Sequence, residues 1–295
     1  MIKRIIFVSL LFILLYTFFV QVQVLLERRH RGAGQREGES GEAKHKVYFF
    51  SFTKYTSDGE KEIEIEGDSA NILSRTVELM NVVAKAYASE TPVTITADEG
   101  SYDKVENKVH LKKNVVATTE DGARLLTEKL DIHPETKLLE TQEQAEVKKD
   151  NINIEGKGAQ GDSRLKQVRF NKNVTVVVQD TEKQMQTPTV ITCDGPLNID
   201  YDKNIAYFKD NVVAEDERGK LNADAMDVYY NKESRRVSKI ICRGNVVIEN
   251  PDGNKTYSDN VVYLAEEGRI ILGGDTEALY QGQGKNKEKF DGQLF

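Results

Sequence analysis

Four aspartates recur at matching places in the chain. Asp98, Asp194, Asp224 and Asp259 each follow a small residue and precede an apolar stretch. Carboxylates that converge can share a proton for acid–base work or hold a divalent cation. These occur once per repeat, which spreads them along the body, so hydrogen bonding in turns is their expected role. Gly156-Lys-Gly-Ala-Gln-Gly spells G-x-G-x-x-G. A dinucleotide site needs that run to follow a strand and open a helix, so that helix-terminal amides meet the pyrophosphate. Here Asp162-Ser-Arg-Leu-Lys-Gln-Val-Arg-Phe leads into another strand pattern, and a glycine turn is expected. The histidines His30, His45, His110 and His133 have no metal-ligand spacing. No serine or cysteine stands in a nucleophile elbow. The sequence therefore shows no catalytic constellation and implies no cofactor and no metal.

The elements that would carry these residues are strands. Alternation of period two runs through Glu62-Ile-Glu-Ile-Glu, Val93-Thr-Ile-Thr, Asn151-Ile-Asn-Ile-Glu and Leu197-Asn-Ile-Asp-Tyr. Clusters such as Asp103-Lys-Val-Glu-Asn, Asp202-Lys-Asn and Glu266-Glu-Gly have turn composition. One half-unit reads apolar-x-apolar, then Lys or Gly with Asn, then a β-branched residue. It appears as Val109-His-Leu-Lys-Lys-Asn-Val, Val168-Arg-Phe-Asn-Lys-Asn-Val, Ile205-Ala-Tyr-Phe-Lys-Asp-Asn-Val and Ile240-Ile-Cys-Arg-Gly-Asn-Val. The anchors at Asn114, Asn173, Asn211 and Asn245, with Gln144 in the first gap and Asp275 after the last, give a period of about 30–38 residues. The small-Asp motif is the other half-unit. Two strands and two turns per repeat cannot bury an apolar face alone, but stacked pairs can. Thr76-Val-Glu-Leu-Met-Asn-Val-Val-Ala-Lys-Ala-Tyr fits a helix or a strand, and its β-branched content favours strand.

Net charge bounds the partners. A value of −7 argues against nucleic acid, whose binders need a basic footprint. Two cysteines, Cys193 and Cys242, are too few for a disulfide scaffold, though one bridge between them is open in an oxidising compartment. Ile5 to Leu26 is charge-free and apolar, interrupted by Ser9, Thr17, Gln21 and Gln23, and about 20 such residues span a membrane as a helix. The run is too long for a signal peptide and no small-x-small site follows it, so an uncleaved anchor is expected. Lys3 and Arg4 on one side face Arg28, Arg29, Arg31 and Arg36 on the other, which gives no clean positive-inside answer. The β-rich body decides for an outside location. The organisation expected is a short tail and anchor over 1–26, a charged Gly-rich linker over 27–46, β-domains over 47–180 and 181–281, and a polar tail over 282–295.

Leu125-Leu-Thr-Glu-Lys-Leu-Asp-Ile-His-Pro-Glu-Thr-Lys-Leu-Leu-Glu-Thr-Gln-Glu-Gln-Ala-Glu-Val and Ile154-Glu-Gly-Lys-Gly resemble the LptC family, the membrane-anchored bridge proteins of lipopolysaccharide export. Ala97-Asp-Glu-Gly-Ser-Tyr-Asp and Val109-His-Leu-Lys-Lys-Asn-Val carry the same likeness, which covers roughly residues 1–180. Ala223-Asp-Ala-Met-Asp-Val-Tyr and Gly244-Asn-Val-Val-Ile make residues 181–280 similar to the LptA/OstA-like bridge module. The resemblance implies an all-β fold, an open β-jelly roll of antiparallel strand pairs, preceded here by one N-terminal transmembrane helix. It implies a single-pass inner-membrane protein with a periplasmic body. Its partners would be an inner-membrane ABC transporter, lipopolysaccharide, and an LptA-like bridge protein or a second copy. A common LptC ends near the first module, and this chain appends a second.

Alternation nominates the face that would shield acyl chains: Val109, Leu111, Leu130, Ile132, Ile154, Val174, Val176, Ile199, Tyr201, Ile205, Tyr207 and Val228. Ile270, Leu272 and Leu279 mark a last strand whose free edge could add a partner's strand. Two function classes follow. A lipid-transfer bridge has an interior that meets lipid, and a structural β-repeat scaffold of the envelope has a dry, closed core. An enzyme would need a converging polar site that the sequence lacks.

Overall fold

The computed structural model describes residues 45–87, 93–162, 164–179, 187–233 and 236–279. The expected anchor, most of the linker and the polar tail lie outside the described residues. No helix among the described residues is long and apolar enough to cross a membrane.

Every element is a strand. The first nine are β1 (His45–Tyr55), β2 (Lys61–Ile72), β3 (Thr76–Ala86), β4 (Val93–Asp103), β5 (Lys108–Thr118), β6 (Arg124–His133), β7 (Leu138–Lys149), β8 (Ile152–Asp162) and β9 (Gln167–Val178). They continue as β10 (Thr189–Cys193), β11 (Leu197–Asp200), β12 (Ile205–Asp216), β13 (Gly219–Tyr230), β14 (Val237–Glu249), β15 (Lys255–Leu264) and β16 (Arg269–Leu279). All pairing is antiparallel, and apart from β10 and β11 each strand pairs with its chain neighbours in one 16-stranded sheet. The short β10 and β11 share one lane between β9 and β12, separated by Asp194, Gly195 and Pro196. The segment at Thr76, open between helix and strand on periodicity, is β3, paired to β2 and β4 along its length.

Most strands are long and bend in the middle. Between β5 and β6, Lys112 pairs with Lys129 and Val115 with Thr127, so Lys113 and Asn114 stand opposite Glu128 alone. The same excess of one residue recurs at Asp210 and Asn211 against Asp224, and at Gly244 and Asn245 against Asp259. An extra residue of this kind bends the strand and sharpens its twist. The residues that make the bend sit in the left-handed region: φ is +50° at Asn114, +51° at Asn173, +53° at Asn211 and +47° at Asn245. Asn tolerates that region because its short amide can bond locally.

Here the recurring aspartates find their partners. The Asn114 amide donates to Asp98 at 2.7 Å, Asn211 to Asp194 at 2.5 Å and Asn245 to Asp224 at 2.9 Å. Asn81 and Asp68 make the same clasp at 2.7 Å, and the backbone N–H of Asp275 donates to Asp259 at 3.0 Å. Hydrogen bonding was the expected role, but the place differs. These aspartates stand at mid-strand corners, or at the β10–β11 break, and not in the turns between strands. The Gln144 position departs from the rule: its carbonyl accepts from Thr127 Oγ1 at 2.9 Å, and buried Thr127 and Thr141 face each other at 3.2 Å.

The corners fold the sheet double. Call the turns after β1, β3, β5, β7, β12 and β14 the upper rim, and those after β2, β4, β6, β8, β11, β13 and β15 the lower rim. Twelve residues of flat strand would hold the rims about 40 Å apart. Yet Lys149 at the upper rim lies 4.8 Å from the ring centroid of Tyr201 at the lower rim. Phe52 in the upper half of β1 likewise meets Tyr102 in the lower half of β4, ring centroids 6.0 Å apart. One face is therefore inside. Ile95, Val109, Leu111, Phe170, Leu197 and Phe208 are buried there to 1% exposure or within a percent of it. Strand alternation resumes beyond each corner after a gap of four on lanes with the extra residue, as from Leu111 to Val115, and of three on their partners, as from Ala223 to Met226.

The corner clasp yields a stability test. Asn114→Ala loses the amide and puts a β-carbon into the left-handed region, so it should cost about 1 kcal/mol more than Asn114→Gly. Asp98→Ala should add little on the Asn114→Gly background, because the bond it would break is already gone. Urea unfolding of the four variants checks this, and strictly additive losses would contradict the clasp.

Candidate functional site

Inward-facing rows create the interior, and a large space in it lies where β9 meets β10 and β11. A cavity of about 600 Å³ opens there. Its walls include Ile152, Ile154, Val176, Leu197, Ile199 and Phe208. Its mouth is a ring of turns from both rims, with Lys149, Lys166 and Lys232 set among Asp121, Asp150 and Asp202. Volumes of several hundred Å³ are usual for small-molecule sites, which are mostly apolar with a few placed polar groups. Two further spaces, one between Ile63 and Leu139 and one between Leu221 and Tyr263, measure about 10 Å³ each.

The mouth is held by side chains. Lys149 Nζ reaches Asp121 at 2.5 Å and lies over the Tyr201 ring. Partial burial pushes the Asp121 carboxyl up, but the hydrogen bonds from Lys149 and Thr119 outweigh it and hold the group below its ordinary value. Burial, with Asp121 and Asp150 nearby, pushes the Tyr201 phenol up to about 12, so the ring stays neutral. Tyr230 beside it is pushed up for the same first reason. A neutral aromatic face under an ammonium is a cation–π contact. Charges of both signs stand at the mouth, and the wall behind them is apolar.

Of the twelve residues nominated for the inner face, ten are buried: Val109, Leu111, Leu130, Ile132, Ile154, Val174, Val176, Ile199, Ile205 and Val228. Tyr201 is half-buried at the cavity mouth. Tyr207 is a correction. It is 36% exposed and points outward, paired with Asn198 and Asp227. The inward residues of β12 are Ala206 and Phe208, set opposite Ile199 and Leu197. Ile205 is buried because it begins the strand at the cavity rim, so counting by twos from it selects the wrong face. Phe208, Leu197 and Phe170 are among the large inner residues that the nomination missed. The signal for Phe208 was present: it stands four before Val212 across the corner, as Leu111 stands before Val115.

At the last strand Ile270 is partly buried against the core, while Leu272 and Leu279 are exposed at 38% and 50%. No strand among the described residues pairs with the outer edge of β16. The outer edge of β1 is equally free and carries Tyr48 and Phe49, exposed at 64% and 87%. The glycine run is another correction: residues 156–161 lie inside β8 and form no turn. A β-carbon on Gly156 would stand 2.8 Å from Phe170, so glycine is there for close packing of β8 on β9. Cys193 and Cys242 are both free and buried. Burial raises their thiols to about 11 and about 12, which leaves them protonated and inert. No cluster of His, Cys, Asp and Glu among the described residues could hold a metal ion.

Comparison with known proteins divides the chain at the cavity. Residues 5–179 match the family described as lipopolysaccharide-assembly, LptC-related. Residues 191–293 match the family described as LptA/(LptD N-terminal domain) LPS transport protein. No curated protein matches the chain. The boundary falls between β9, which ends at Val178, and β10, which begins at Thr189, and those strands are hydrogen-bonded to each other.

The assignment of faces on β12 can be checked by truncation. Phe208→Ala should cost about 3–5 kcal/mol, the range for a buried aromatic. Tyr207→Ala should cost about 1 kcal/mol or less. Urea unfolding of both variants reads the difference, and equal losses would reverse the assignment.

Proposed function

Because this chain belongs to the lipopolysaccharide-assembly, LptC-related family, we propose that it is a membrane-anchored segment of the lipopolysaccharide transport bridge that carries both an LptC-like and an LptA-like module in one body. It works without covalent chemistry. The run from Ile5 to Leu26 anchors it once in the inner membrane, and the body stands in the periplasm. The body is a β-jelly roll whose interior shields acyl chains from water, with affinity from apolar burial at roughly 25 cal/mol per Å². An inner-membrane ABC transporter supplies cargo and energy. The free edge of β16 receives the next β-jelly roll, either a bridge protein or a second copy, by strand addition.

The observation that carries this reading is the uninterrupted ladder from β9 into β10 and β11 with an apolar cavity at the same place. A lipid passing from one module to the next remains inside one sheet. The close packing of the interior on either side of the cavity favours a second reading, a structural scaffold without cargo. Photo-crosslinking in cells separates the two. A photoreactive residue at Ile154 or Ile199 should give a lipopolysaccharide adduct that depends on ATP and the transporter, and one at Tyr207 should give none. Folded protein without an adduct at either inward position would favour the scaffold.

A further inference from the structure

The described backbone joins the two layers along the corners alone. Among the described residues, every backbone hydrogen bond between strands or across turns links residues of the same rim or of a corner. The opposite side, where upper rim meets lower rim, is a seam closed by side chains. Toward both ends of the body the seam is filled, with spaces of about 10 Å³, close to the minimum for one water. The cavity at the β9–β10 junction is the large space, and its mouth opens on the seam.

We propose that acyl chains enter the body sideways through this seam at the junction of the two modules, where Lys149 stacked on Tyr201 acts as the latch of a chamber already shaped for apolar tails. The inference rests on the transport reading above and adds the route and the gate. Parting the rims there breaks no ladder hydrogen bond. It costs side-chain contacts of the mouth, Lys149 on Tyr201 among them, and exposes apolar wall, and an acyl chain covers that wall again. Lys149 keeps its bond to Asp121 on its own rim when the seam parts, so its charge remains paired. The flex is taken up at corners built of Asn and Gly in left-handed conformation, at Gly158, Asn173 and Asn211 around the chamber.

A covalent staple across the seam tests the route. In the full-length chain, Lys149→Cys with Tyr201→Cys is joined after folding by a short bis-maleimide, with a photoreactive residue at Ile199 reporting lipopolysaccharide. A control staple joins Asn107→Cys to Glu135→Cys, two neighbours on the lower rim whose native side chains are 3.0 Å apart. The seam staple should abolish the adduct, whereas the control staple and the unlinked double variant should keep it. Tyr201→Leu, which keeps apolar area and removes the latch, should raise adduct formation. Full labelling of the seam-stapled protein would overturn the lateral route. Absence of label in the unlinked and control proteins as well would sink the transport reading itself, a result distinct from failure of the route.

Discussion

A residue in left-handed conformation at the middle of a strand, tied to an aspartate on the next strand, is the constraint from which the rest of the structure follows. Long strands with one apolar row would form a flat ribbon with that row exposed to water. An extra residue at mid-strand bends β5, β7, β9, β12, β14 and β16, and on β5, β12 and β14 an Asn-to-Asp hydrogen bond holds the bend against its neighbour. Repeated along the body, the bend brings the two halves of every strand face to face. The apolar rows then bury each other, and the rims that meet opposite the corners form a seam without backbone bonds. The corner line is thus the fixed side of the body and the seam its yielding side.

Much of this was legible in the amino-acid sequence. Alternation located the strands, and the recurring Asn and small-Asp motifs marked every repeat. Their meaning was misread because Lys-Asn and Gly-Asn have the composition of turns, and only pairing across strands shows that Asn114 and Asp98 meet inside them. The error at Tyr207 has the same origin. A parity count holds within a half-strand, and Ile205 is buried by its place at a rim, so it is a poor origin for counting. Alternation nominated Ile154, Val176, Ile199, Tyr201 and Ile205 of the cavity lining, but not the place where the cavity opens. Its mouth joins Lys149 to Tyr201, residues on turns that only the doubled sheet brings together. The resemblance of residues 1–180 and 181–280 to two modules stands, since the matched spans are 5–179 and 191–293.

Fusion changes what the junction between modules has to do. Two separate chains would meet by strand addition at free edges, and such edges invite wrong partners. Here β9 and β10 are adjacent in one chain, so the contact is formed by folding and does not depend on concentration. Among the described residues the edges left free are the outer sides of β1 and β16, at opposite ends of the strand order, and both strands carry exposed apolar side chains.

The central claim is that lipid enters the interior at the junction of the two modules and passes on within the second. Its most direct measurement is a time course of lipopolysaccharide photo-crosslinking after ATP addition, with the photoreactive residue at Ile154 in the wall of the junction cavity or at Val228 on β13. The account predicts adducts at both positions, with Ile154 labelled before Val228. Folded, membrane-bound protein that stays unlabelled at both positions, or that is labelled at Val228 before Ile154, would contradict it.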